Sequence, residues 1–157
     1  MITTHTAVFD TVPVLLDVLP ECITRQQIAA LGAELVRLEA GTGIVDLSTK
    51  HHHADGIYGR SIVLRAGTLL VGMPHRHSGL AVSAGDITIW TEDGGRQRLI
   101  GLHMLASAPG LMRLGFAHRD TTFVTYHANR TGSTDPEVIE DALVEHADML
   151  MTRRTSP

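Results

Sequence analysis

The feature that most constrains this chain is a change of period. From Gly56 to His127 the apolar residues abandon helical spacing and fall into short β-type runs separated by Gly, Pro and Asp. That is the pattern of a β-sandwich or barrel. The runs place strands near 58–65, 68–73, 79–83, 86–91, 96–102, 103–107, 110–116 and 121–127. Between the runs ending at Trp90 and starting at Arg96, the stretch Glu92-Asp93-Gly94-Gly95 reads as a tight hairpin, with Asp-Gly supplying the positive φ.

Helical patterning flanks this region on both sides. Thr24 and Gln27 have the spacing of a capping box, in which hydroxyl and side-chain amide satisfy each other's free backbone donors. Ile28, Leu31, Leu35 and Leu38 follow at helical spacing, predicting a helix over about 25–39 that ends at Gly41 and Gly43. Its apolar stripe suits docking on the sheet or on a second subunit. A second helix is expected over 136–151, capped by Asp135 with Pro136 at its first position, where a missing N–H costs nothing. Ile139, Ala142, Leu143, Ala147 and Leu150 form its apolar face. The expected division is an N-terminal segment 1–55 with the helix and a His-rich loop, a barrel over 56–128, and a C-terminal helix and frayed tail over 129–157.

Composition removes several function classes. The chain has 157 residues, 43% hydrophobic, the scale of one globular core. Its formal charge of −4, with no basic block beyond Arg153-Arg154, leaves no electrostatic footprint for nucleic acid. The apolar segment Val12 to Leu19 is short and interrupted by Pro13 and Asp17, so neither a signal peptide nor a membrane span is expected, and the default location is the cytoplasm. Cys22 is alone and reads as a buried thiol. There is no phosphate-binding Gly-Lys-Ser/Thr loop and no Gly-x-Ser-x-Gly elbow.

The chemistry-bearing pair is His75 and His77, set eight residues after Gly67 and eight before Gly85. On a strand, residues two apart share a face, and neutral imidazole is a good ligand for first-row divalent metals. A third ligand is expected from His127, which shares a strand face with Phe123 and Thr125; His103 and His118 are weaker candidates. Three imidazoles with open positions suit one divalent ion, Zn, Fe, Mn or Ni. The competing reading is a set of strand histidines that only donate and accept hydrogen bonds. Arg113 and Arg60, with Tyr58 and Tyr126 as neutral partners, suit an anion clamp in a barrel mouth. For Arg60 a local carboxylate on the outer surface is the favoured alternative. The run Lys50 to His53 reads as a solvated loop able to bind metal adventitiously.

Gly67, His75, His77 and Gly85, followed by Pro109-Gly110, resemble the two motifs of the cupin superfamily over about 58–127. That resemblance implies an all-β core, a cupin-type jelly-roll β-barrel with the N-terminal and C-terminal helices packed outside. By the family's spacing Ser78 stands where a glutamate ligand is usual and Arg113 where a histidine is usual. A guanidinium does not ligate a cation and suits a carboxylate or phosphate. Tyr58-Gly59-Arg60, Ala66-Gly67-Thr68, His75, Thr91 to Gly94, Ser107 to Gly110, Arg113-Leu114-Gly115 and Thr125-Tyr126-His127 also resemble small cupin-like proteins of tailed bacteriophages. The resemblance implies a phage- or prophage-encoded accessory protein. Two functions therefore stand: a noncatalytic binding or assembly module, homodimeric because sheet edges and the helix stripe call for cover, or a divalent-metal oxygenase, isomerase or lyase acting on a small acid.

Overall fold

A computed structural model describes residues 6–8, 19–42 and 46–145. Strands β1 (Thr6–Val8), β2 (Lys50–Ala54), β3 (Ile57–Leu64), β4 (Thr68–Val71), β5 (Gly79–Thr91), β6 (Gly95–Ser107) and β7 (Arg113–Ala128) form one antiparallel sheet. Helix α1 (Arg25–Thr42) precedes most of it and α2 (Pro136–Leu143) follows. The all-β jelly-roll core with a helix at each end is thus the fold of the chain.

β7 organises the sheet. One edge of it pairs first with β4, through Leu114 to Phe116, and then with β3, through Thr121 to Ala128; β5 runs along the other edge. Alternate residues of these strands face inward. Ile62, Leu64, Leu70, Ile87, Ile89, Leu99 and Phe123 pack as the interior. The outward set at one end, Leu69, Val71, Trp90, Leu114 and Phe116, is covered by Ile28 and Leu35 of α1, with Leu31 packed alongside. The helix stripe therefore docks on its own sheet; the side chain of Leu38 lies outside the described residues. The capping box forms as expected, Gln27 N donating to Thr24 Oγ1 at 3.2 Å and Thr24 N to Gln27 Oε1 at 2.9 Å.

Three pairs of expected strands are single long ones. β5 passes through a bulge at Gly85, whose φ of 153° and whose contact with Thr121 leave no room for a Cβ. Asp86 N donates to Thr121 Oγ1 at 3.0 Å, so the strand bends without ending. β6 runs through Gly101 with no change of register. β7 carries Arg119 and Asp120 outward, where Asp120 accepts from Ala66 N and Arg65 Nη1 at 3.0 and 2.6 Å. The hairpin after Trp90 is present, but Gly95 carries the positive φ and Gly94 N bonds Thr91 Oγ1 at 2.9 Å.

Other expectations are corrected. Lys50 to His53 is strand β2 and not a loop, paired with β3 around a turn at Asp55-Gly56. β1, β2 and the buried Leu47 all precede residue 56, so sheet and core begin earlier than expected. α1 continues through Gly41 to Thr42. α2 has its Asp135 cap, bonded by Glu137 N at 2.9 Å, but stops at Leu143 because Val144 is extended and bridges to His75. Ala147 and Leu150 lie outside the described residues. Cys22 is exposed, since it is Ile23 that turns into the core. Among the described residues no helix is long and apolar enough to cross a membrane.

Candidate functional site

The site lies where α2 meets the barrel. His75 sits between β4 and β5, outside any regular strand, so the same-face argument for His75 and His77 does not apply. Backbone bonds on several sides hold it: Gly110 N donates to His75 O at 2.7 Å, Arg76 N to Leu143 O at 2.8 Å, and Glu145 N to Pro74 O at 3.1 Å. Pro74, which has no N–H to give a ladder, immediately precedes it. His127 reaches the same point from the end of β7, opposite Tyr58 of β3. The two ring centroids are 4.4 Å apart with planes at 57°. Gly79 makes the space: a Cβ there would stand 2.6 Å from both Cε1 and Nδ1 of His127.

Both imidazoles are buried, His75 at 7% and His127 at 4% exposure. Burial, reinforced by the Arg113 charge, pushes His75 down to about 3. Burial likewise brings His127 to about 3, assisted by His75 and His77 and opposed by a backbone hydrogen bond with Ser78. At neutral pH the pair is uncharged. His77 is partly exposed and acts on His127 electrostatically. His103 bonds Ile100 O at 3.0 Å and His118 bonds Thr88 Oγ1 at 2.7 Å, both away from the pair.

Arg113 turns inward at the start of β7. Its Nη1 donates to Ser107 Oγ at 2.7 Å and its Nη2 to Ala106 O at 2.9 Å, while its buried Nε has no partner among the described residues. It borders a cavity of about 10 Å³ lined by Leu70, Ile87, Ile89 and Phe123, room for no more than about one water.

Arg60 and Tyr58 form a second polar group inside the same barrel end. Arg60 Nε is 4.0 Å from Glu140 Oε1 of α2, and each side chain is 2% exposed. The expected carboxylate partner is there, but on the inner face, because even-numbered residues of β3 point inward with Ile62 and Leu64. Burial lowers Arg60 and the Glu140 charge opposes that shift. Tyr58 Oη is 2.7 Å from His51 Nδ1; burial and then the Glu140 charge raise its phenol far above the ordinary value. Tyr126, expected beside it, lies on the outer face and is exposed. Sequence reasoning missed Glu140 and His51. The signal for Glu140 was positional: it stands three residues before Leu143 and four before Val144, within the apolar stripe of α2.

The donor set decides what this place can hold. Two neutral imidazoles converge, but a catalytic zinc site takes three protein ligands. Ser78 brings no carboxylate, and Arg113 adds positive charge beside His75. Among the described residues no group of three or more His, Cys, Asp or Glu side chains is placed to hold a metal ion. Among the described residues two imidazoles meet at this point, with His77 partly exposed nearby.

No protein-family model matches the sequence, and no curated protein does. Solved structures do resemble the chain. A cupin-like protein from Thermotoga maritima is 13% identical, covering 60% of this chain and 82% of its own, with a TM-score of 0.44. The likeness is one of fold. A cupin protein from Bacteroides fragilis is 17% identical over 59% of this chain and 86% of its own, TM-score 0.44. An acetylacetone dioxygenase from Acinetobacter johnsonii is 12% identical over 52% and 58%, TM-score 0.42.

Proposed function

We propose that this chain is a noncatalytic binding or assembly module of the cupin superfamily, phage- or prophage-encoded and working as a cytoplasmic homodimer. One observation carries the reading: the His75–His127 pair is buried beside the C-terminal end of α2. Val144 bridges to His75, and Ile139, Leu143 and Val144 pack with Tyr58 and Met73. A catalytic centre must admit its substrate, whereas a pair used to pin a helix onto a barrel need not. Arg113, tied to Ser107 and Ala106 and carrying one unused donor, is the group that would receive a small acidic ligand once the one-water cavity beside it opened.

The second reading, a divalent-metal cupin enzyme acting on a small acid, is favoured by the juxtaposition of two imidazoles that stay neutral to about pH 3. It requires His77 to turn inward as a third ligand. Elemental analysis of untagged protein separates the two. The proposal expects far less than one transition-metal ion per chain, with no change in His75→Ala. One ion per chain, lost in His75→Ala and kept in His52→Ala, overturns it in favour of the enzyme.

A further inference from the structure

Among the described residues the outer face of the sheet is covered at one end only. α1 shields the end around Trp90 and Leu114. At the other end Ile100, Leu102 and Met104 of β6 stand 67%, 73% and 69% exposed, with Leu80 of β5 and Tyr126 of β7 exposed beside them. Register makes them one surface. Leu80 lies opposite both Ala106 and Tyr126, Val82 opposite Met104, and Ala84 opposite Leu102. The Tyr126 ring packs against Gly59 of β3, its Cε1 3.2 Å from where a Cβ would be.

This face is also uncharged. The outward residues of β6 from Ile100 to Ala106, of β5 from Leu80 to Ala84, and of β7 from Thr122 to Ala128 include no Asp, Glu, Lys or Arg. Charge stands only at its margins among the described residues: Arg98, held bidentately by Asp86 with both bonds at 2.9 Å, Arg119 opposite Asp86, and Lys50 of β2 opposite Ser61. Large apolar side chains this exposed and this contiguous, rimmed by polar residues, mark an interaction surface.

We infer that this face packs against the same face of a second copy of the chain. An uncharged apolar sheet surface is complementary to itself, the requirement of an isologous two-fold interface. Packing face on face buries Leu102 and its neighbours between two sheets about 10 Å apart. Joining two β6 edges instead would leave those side chains in water on the outside of the extended sheet. The inference deepens the assembly reading by naming its surface, and it does not depend on what the His75–His127 pair binds.

The test is the mass in solution by sedimentation equilibrium at micromolar concentration, for the full chain and for Leu102→Glu, Met104→Glu and their double variant. The expected result is a wild-type dimer, twice 17.0 kDa, and a double variant that sediments as a monomer. The circular dichroism spectrum and melting curve of that variant should show it folded. Val138→Glu, at an exposed position on α2, should stay dimeric. A monomeric wild-type protein overturns the dimer itself, including the case in which the chain's own terminal residues cover the face. A dimer that survives in the folded double variant leaves the dimer standing and overturns the surface. If the double variant fails to fold, Leu102→Ser with Met104→Thr carries the same comparison.

Discussion

His75 and His127 are held neutral by burial, and the consequence is a pH dependence of stability. Their folded values near 3 lie below the ordinary value of 6.5. Between those limits the unfolded chain binds protons that the folded chain refuses, so the contribution is complete above pH 6.5 and is lost as pH falls towards 3. Each histidine contributes a slope of about 1.4 kcal/mol per pH unit, or about 2 kcal/mol by pH 5. Urea denaturation at pH 7 and pH 5 should therefore show a smaller loss in His127→Gln than in the wild type. Equal losses would mean that the folded protein accepts the proton. Gly79 is the steric counterpart. Gly79→Ala drives a Cβ against the His127 ring and the Tyr126 carbonyl, and should cost about 1–3 kcal/mol. It should also move the His127 imidazole resonances. Gly56→Ala, with nothing within 4 Å but a φ of 69°, should cost about 1–2 kcal/mol and leave them in place. At this scale the sequence named both histidines and Arg113, since residue type and spacing are local facts. It did not name Gly79, Glu140 or His51, whose roles exist only once distant strands have met.

Among the elements, α2 is attached to the barrel by an apolar contact and a buried ion pair, and the two respond differently to substitution. Ile139 and Leu143 pack on Tyr58 and Met73, while Arg60 and Glu140 face each other at 4.0 Å in a site closed to water. Removing one member of such a pair leaves a buried charge without its counter-charge and costs about 3–5 kcal/mol; replacing both by apolar residues is often neutral. Glu140→Ala should thus be strongly destabilising in equilibrium denaturation, and Arg60→Met with Glu140→Leu should recover most of the loss. A double variant as unstable as the sum of its parts would show that the two groups act separately. The helix caps were legible because Thr24-Gln27 and Asp135-Pro136 are complete within a few residues. Strand lengths were not: Gly85 looks like a chain break, and 96–102 and 103–107 read as two runs, until the register of β5 and β6 shows the ladder continuing across both places. Lys50 to His53 hid its strand for a different reason: its four polar residues carry no apolar alternation, and it is the pairing with β3 that makes it a strand.

Across the whole molecule, stability should follow the pairing scheme. β7 is hydrogen-bonded along both edges, to β3 and β4 on one side and to β5 on the other, and its inward residues Ala117 and Phe123 belong to the interior. Among the described strands β2 pairs with β3 alone, and its side chains are mostly exposed. Local opening of β2 breaks few buried contacts, whereas freeing β7 dismantles the sheet, so the amides of β7 should exchange only through global unfolding. Native-state hydrogen exchange should place the protected amides of residues 114–126 at the free energy of global unfolding and those of residues 50–54 well below it. If β7 exchanges as early as β2, the sheet is not organised around it. The same scheme links fold to site. His127 sits at the end of β7, and the segment around His75 is tied by backbone bonds to the C-terminal end of α2 and to the turn before β7, so the imidazole pair stands where the central strand and the helix end meet. Glu140→Ala should therefore raise exchange at residues 75–77 and 139–145 while leaving 114–126 slowest; uniform acceleration throughout would mean that α2 and the barrel open as one unit.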